Sequence, residues 1–353
     1  MNKRIEKLRE IMLNLQADYV VLGPNSDCFY LTSFREEQME RPLLLIISPD
    51  RVFFLAPKLY EEQISALGFD VVSYPDGSDP FSYLDLKSRK NIYLDDWLPT
   101  LHSLSIVERY SPAKVGRASQ LISPLRAKKD EEEINTLREA VRLTEKLLEH
   151  VLPAIREGIT ELQLSNTMRR EAEELGTEGM SFQPIVTSGP NTSKPHMRST
   201  ERRLRNGDPL VLDFGIRWKG YAGDMTRTFF LSQPSQEMMN VYNVVKEAQA
   251  NAENYINPNV RACDVDSAAR TVINKSGFGH YFIHRTGHGI GIDVHEPPYI
   301  SSDNCLPLIS GNVFTVEPGI YIPGKFGVRI EDMAYLLDAG GVFNSFTREM
   351  VIV

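Results

Sequence analysis

The sequence predicts an α/β domain over residues 1–122 followed by a larger α+β domain over residues 123–353. Three observations carry this prediction. The first part alternates helical segments with short apolar runs bounded by Gly, Pro and Asp, which read as strands. The second part opens with two helices and turns strand-rich from residue 181, with Gly and Pro breaks. The length of 353 residues exceeds what one small core needs and fits two domains.

Taken in order, the opening segment MNKRIEKLREIML has helical spacing. It is followed by strands in YVVLG (19–23), PLLLIIS (42–48), RVFFLA (51–56), VVSYP (71–75) and NIYLDD (91–96). Between them KLYEEQISALG (58–68) reads as a helix stopped by Gly68. The domain boundary is placed near SPLRAKKD (123–130). A long helix over 129–151 carries Ile134, Leu137, Val141, Leu148 and Val151 on one face, at separations of three, four or seven residues. Thr144 is the one polar residue of that stripe, and Leu147 widens it; the stripe is read as core. Helices follow at 160–175, 235–256 and 263–276. No internal repeat or low-complexity segment stands out.

The 39 basic and 47 acidic residues leave a net charge of −8. A mildly acidic chain has no electrostatic reason to seek nucleic acid or an anionic membrane. No apolar stretch has the length of a membrane span, and the charged N-terminus lacks the apolar core of a signal peptide. Cys28, Cys263 and Cys305 are odd in number and widely spaced, so free thiols in a reducing compartment are expected. The reading is a soluble cytoplasmic protein.

Five residues of metal-ligand type fall in the second domain: Asp213 in VLDFG, Asp224 in GDMTRTF, His288 in HRTGHGIGIDVHEPP, Glu317 in FTVEPGIY and Glu331 in VRIED. Strand periodicity puts Asp213 with Val211, and Asp224 with Thr226 and Thr228, on single faces. The turn GYAG (220–223) would let these strands pair and bring the two aspartates together. Likewise Glu317 shares a face with Thr315, and Glu331 with Arg329, and YIPGKFG (321–327) would link them as a second hairpin. Acids embedded in apolar strands are costly unless cations neutralise them. Four carboxylates and one imidazole form a hard donor set for a pair of divalent ions such as Mn²⁺, Co²⁺, Fe²⁺ or Zn²⁺. Such a pair supports hydrolysis. Any one of these acids alone would more often be an ordinary strand residue; the set of five favours metal.

Of seven histidines, His280, His284, His288 and His295 cluster in one short stretch. Its glycines mark backbone that must come close to something. His284 and His295 are candidates to hold substrate or stabilise a tetrahedral intermediate. His196, in a polar loop, is a candidate proton shuttle. His280, His102 and His150 are read as structural or surface residues. Arg329 would either orient Glu331 as an ion-pair partner or meet a substrate carboxylate. Thr226 and Thr315 are placed to hydrogen-bond the ligands beside them.

The series DFG, GDMTRTF, HRTGHGIGIDVHEPP, FTVEPGIY and GVRIED resembles the pita-bread metallopeptidases. Within them it resembles the proline-specific branch, the Xaa-Pro dipeptidases (prolidases) and Xaa-Pro aminopeptidases (aminopeptidase P). The resemblance covers essentially the whole chain, the N-terminal α/β domain included. It implies that Asp213 chelates one ion, Asp224 and Glu331 bridge both, and His288 and Glu317 complete the other. It further implies attack by a metal-bridging hydroxide, proton transfer assisted by Glu317, and a substrate pocket lined by His196, His284 and His295. Manganese is the expected metal, with cobalt, iron or zinc as alternatives. Small peptides with proline at the second position are the expected substrates, and a homodimer the expected assembly.

One departure bears on specificity: residues 296–316 contain no Lys or Arg. Some prolidases use a cation in this stretch to hold the dipeptide carboxylate. A clamp here would come from elsewhere, with Arg198, Arg329 and Arg35 as candidates, which tilts the expectation away from a strict dipeptidase. The competing readings are a creatinase-like non-peptide hydrolase and a non-catalytic binding protein on the same fold. The complete set of five ligand residues argues against both.

Overall fold

The computed structural model describes residues 3–353 and divides into two compact units, Met1–Arg126 and Ala127–Val353. The first unit comprises α1 (Lys3–Asn14), β1 (Tyr19–Leu22), α2 (Ser26–Thr32), β2 (Leu44–Ile47), β3 (Val52–Pro57), α3 (Glu61–Ala66), β4 (Asp70–Tyr74), β5 (Asn91–Leu94), α4 (Thr100–Tyr110), β6 (Lys114–Arg117) and α5 (Ser119–Ala127). Its strands form one mixed sheet in the order β4-β3-β2-β1-β5-β6. All five expected strands are present. The sequence reading lacked α2, α4 and β6. The first is seven residues long and rests on its Asn25 cap. In α4, Leu101 and Leu104 face solvent, which blurs the helical stripe. The third, KVGR, is a polar strand at the sheet edge. The segment read as a break at SPLRAKKD is partly helical, since α5 runs through Ser123 and Pro124.

The second unit opens with α6 (Glu131–Val151) and α7 (Glu161–Glu174). A capping box between Asp130 and Glu133 starts α6. The strands that follow are β7 (Ile185–Ser188), β8 (Pro209–Phe214), β9 (Arg217–Trp218), β10 (Tyr221–Ala222) and β11 (Met225–Phe230). Then come α8 (Gln236–Asn254), α9 (Ala262–Lys275), β12 (Gly287–Gly289), β13 (Glu296–Ile300), β14 (Asn312–Val316), β15 (Gly319–Ile322), β16 (Phe326–Arg329), β17 (Asp332–Leu336), β18 (Gly340–Val342) and β19 (Val351–Ile352). One sheet has the order β19-β11-β8-β7, another β13-β12-β14-β17-β18, and β15 pairs with β16.

The period-two pattern decides which way these sheets face. Leu210, Leu212, Phe214, Met225 and Phe229 pack with α6 and α7 residues such as Leu147, Leu164 and Met168. Phe314, Val316, Val328 and Ile330 pack with α8 and α9 residues such as Val241, Val245 and Ile273. The intervening residues, Asp213, Thr226, Thr315, Arg329 and Glu331, therefore point away from the helices. A bridge between Thr226 and Glu331 joins the two systems. Thr144, the polar residue of the α6 stripe, is fully buried. It donates to Ala140 O at 2.8 Å and accepts from Ile216 N at 3.1 Å. Its hydroxyl thus ties the helix to the chain leaving β8.

The cysteines correct the sequence reading. Cys263 and Cys305 form a disulfide with a Cα–Cα distance of 4.9 Å, and only Cys28 is a free, buried thiol. The pairing spans 42 residues, which hides it from any local motif. It is produced by tertiary structure: Cys263 N donates to Asn304 O at 2.8 Å and Ala262 N to Leu306 O at 3.1 Å. Among the described residues, no helix is long and apolar enough to cross a membrane.

Candidate metal centre

The two expected hairpins form, and each delivers an acid pair. In the first, β8 pairs antiparallel with β11, Asp213 lying opposite Thr226. The connection is longer than a simple turn, because β9 and β10 form their own ladder with Trp218 opposite Tyr221. Its tip is Lys219-Gly220, both at positive φ, which is the backbone of a tight hairpin turn. In the second, Val316 lies opposite Asp332 and Gly319 opposite Arg329. Glu317 and Glu331 sit at the junction of those two ladders. His288 enters on β12, where Gly289 lies opposite Phe314. Residues without a side chain flank His288 for a reason. A Cβ on Gly287 would lie 1.8 Å from Thr315 O, and one on Gly289 2.4 Å from Glu296 O.

All five candidate ligands line one cavity of about 500 Å³, together with His196, His284, His295 and Arg329. Ligand atoms of Asp224, His288 and Glu331 lie within 4.8 Å of one another. Glu317 Oε1 is 3.4 Å and Asp224 Oδ2 3.8 Å from His288 Nε2. Asp213 stands apart from this cluster in its pairing, forming a buried salt bridge with the Arg329 guanidinium. Arg329 also donates to Tyr321 Oη at 2.8 Å and to Thr226 Oγ1 at 3.1 Å. The expected partnership of Arg329 with Glu331 is thus indirect, through Thr226, whose hydroxyl donates to Glu331 Oε2 at 2.6 Å. Thr315 Oγ1 accepts from His288 N at 3.2 Å.

Burial dominates the electrostatics. It raises the Asp224 carboxyl well above its usual range, and the neighbouring charges of Asp213 and Glu317 add to the rise. Glu331 is raised by burial, then by Asp224 and Glu317. Glu317 is pushed up to about 8 by burial, with Arg329 pulling the other way. The imidazoles respond oppositely. Burial lowers His288, helped by His295, and takes His284 down to about 4, helped by Arg329. A neutral imidazole keeps the lone pair a metal requires. Asp224 Oδ1 is buried and has no hydrogen-bond partner among the described residues. Buried carboxylates that repel one another, a neutral imidazole and an orphaned oxygen are what divalent cations would satisfy. The residues present therefore fit bound divalent metal.

Sequence reasoning missed two residues of this cavity's surroundings. Tyr321 was read as part of a turn, yet its hydroxyl joins Arg329 to His284 Nε2, the latter at 3.0 Å. Arg285 lies inside the histidine motif and lines the cavity. Its presence between His284 and Thr286 was the available signal.

Known proteins agree with this geometry. Residues 135–338 match the metallopeptidase family M24 and residues 4–128 the creatinase/prolidase N-terminal domain. An uncharacterized peptidase of Staphylococcus aureus is 34% identical over 340 residues, covering 96% of this chain and 97% of its own. The prolidase structure from Thermococcus sibiricus superposes with a TM-score of 0.94 at 36% identity, covering 100% of this chain and 99% of that one. A dipeptidase from Pyrococcus horikoshii OT3 gives a TM-score of 0.94 at 37% identity over 99% of this chain and 100% of that one. The chain belongs to metallopeptidase family M24, with a pita-bread catalytic domain preceded by a creatinase/prolidase N-terminal domain.

Proposed function

We propose that this metallopeptidase hydrolyses the bond between an N-terminal residue and proline, using two divalent ions, manganese first among them. The observation that carries the reading is the convergence of Asp224, His288 and Glu331 within 4.8 Å, in a cavity that also presents His196, His284 and His295. The prolidase it resembles supports a proline substrate, and the dipeptidase supports a short peptide.

Asp213, Asp224, His288, Glu317 and Glu331 would hold the ions. Bound divalent ions polarise a carbonyl and acidify water toward a pKa of ~7. The remaining chemistry falls to the chain. Hydrolysis adds the water oxygen to the acyl carbon, breaks the C–N bond and delivers a proton to the proline nitrogen. That nitrogen is tertiary and has no N–H, so a side chain must meet it. Glu317 carries the proton between water and leaving nitrogen, and His284, His295 and His196 orient the peptide. Arg329 holds Asp213 in place. The homodimer implied by the resemblance and the cytoplasmic location expected from the sequence belong to this proposal too.

The test is hydrolysis by the purified, Mn²⁺-loaded protein of an Xaa-Pro dipeptide beside an Xaa-Pro-Xaa tripeptide. Cleavage of either supports a proline-specific peptidase, and their ratio separates dipeptidase from aminopeptidase. Cleavage of neither, with bound metal measured independently, overturns the proposal.

A further inference from the structure

The cavity holds three arginines, and two are committed. Arg329 is saturated by Asp213, Thr226 and Tyr321. Arg198 is hydrogen-bonded to Gln183. Arg285 alone makes no side-chain hydrogen bond or ion pair among those found in the described residues. Its guanidinium is stacked on the Tyr299 ring, 4.3 Å from the centroid.

This stack follows from the local fold. Thr286 N donates to Ile300 O at 3.0 Å, and Gly287 lies opposite Ile300, so Arg285 and Tyr299 each sit one residue away from that contact. The backbone beneath Arg285 is pinned from three sides. Arg270 donates to His284 O at 3.0 Å, Thr286 Oγ1 to Asp266 Oδ1 at 2.7 Å, and Glu317 N to Thr286 O at 2.7 Å. Stacking on a ring face leaves the N–H edge of a guanidinium open for a bidentate acceptor. A half-buried, pre-oriented and unpaired guanidinium calls for an anion. A short peptide offers one at a fixed place, its terminal carboxylate, and in an Xaa-Pro dipeptide that group lies on the proline itself.

Building on the proposed function, we infer that Arg285, held by Tyr299, binds the substrate's free carboxylate and makes the site selective for Xaa-Pro dipeptides. Residues 296–316 carry no cation of their own. They contribute instead the aromatic face of Tyr299, which positions one from the segment leading into β12. The tilt away from a dipeptidase noted from the sequence is thereby reversed.

The experiment compares Ala-Pro and Leu-Pro with their carboxyl-terminal amides on the Mn²⁺-loaded protein. The ratio of kcat/KM, dipeptide over amide, isolates the carboxylate contact. The wild type is expected to favour the dipeptides roughly 10- to 100-fold, the range of a charge-assisted hydrogen bond. R285A should bring the ratio close to one through KM, R285K should restore part of it, and Y299A should lower it where Y299F does not. Calorimetric titration with proline against prolinamide reads the same contact without turnover and should lose its preference in R285A. A ratio unchanged in R285A but abolished in R198A would overturn the inference, as would a wild-type ratio near one. Both results leave the proposed function standing. Wild-type protein that cleaves none of these substrates but does cleave an Xaa-Pro-Xaa tripeptide overturns the inference alone. Protein that cleaves neither kind, with bound metal measured, overturns the proposed function and the inference with it.

Discussion

Thr226 donates its hydroxyl to Glu331 Oε2 at 2.6 Å and receives the Arg329 Nε–H at 3.1 Å, at the bridge that joins the two strand systems. One small side chain therefore sets the orientation of a candidate ligand and of the arginine that holds another. Removing such a partner typically costs about 10–100-fold in metal affinity. T226V keeps the shape and the β-branch but loses the hydroxyl. Its Mn²⁺ affinity, measured by calorimetric titration, should fall by that amount while the fold persists. Unchanged affinity would make Thr226 a packing residue only.

Lys129 and Glu296 form a buried ion pair at 2.7 Å, their side chains 1% and 6% exposed. Removing one partner strands a buried charge and costs roughly 3–5 kcal/mol, whereas removing both charges is often nearly neutral. K129M should lower urea-denaturation stability by about that much, and K129M/E296Q should recover most of it. A single variant as stable as the wild type would contradict the pair's burial.

Glu253 provides the pH-dependent element. Burial, and then the negative charge of Asp332, push its carboxyl from an ordinary 4.5 up to about 8. The folded state thus prefers the protonated acid. Its contribution is fully present below about pH 4.5 and is lost as pH rises through about 8. E253Q mimics the protonated form: its amide can donate to Asp332 as the acid does. Between pH 5 and 8 the wild type should lose stability relative to E253Q, by more than about 1 kcal/mol. Parallel stability–pH curves for the two proteins would refute this.

The Cys263–Cys305 bond closes a 42-residue separation. Loop-closure arguments put its contribution at about 4 kcal/mol. C263S/C305S should melt well below the oxidised protein, and a reductant should lower the wild-type melting temperature toward that of the variant. No difference between oxidised and reduced protein would remove the bond from the stability account.

Much of the site was legible because strand geometry is local. With a period of two, the sequence alone determined that Asp213, Glu317 and Glu331 face away from the apolar residues beside them, and the turn-forming links at 220–223 and 321–327 pointed to the two hairpins that bring each pair together. The helix stripe from Ile134 to Val151 was readable for the same reason, its period being set within one element. The pattern could not say what lies across a face. Only tertiary structure decided that Arg329 pairs with Asp213 and reaches Glu331 through Thr226, that Tyr321 joins Arg329 to His284, and that Tyr299 stacks on Arg285. The cysteines make the same point, since residues 263 and 305 meet only because α9 begins where the 304–306 segment passes. Periodicity is written in neighbouring residues, whereas partners across a fold depend on which surfaces the packed helices and sheets bring together.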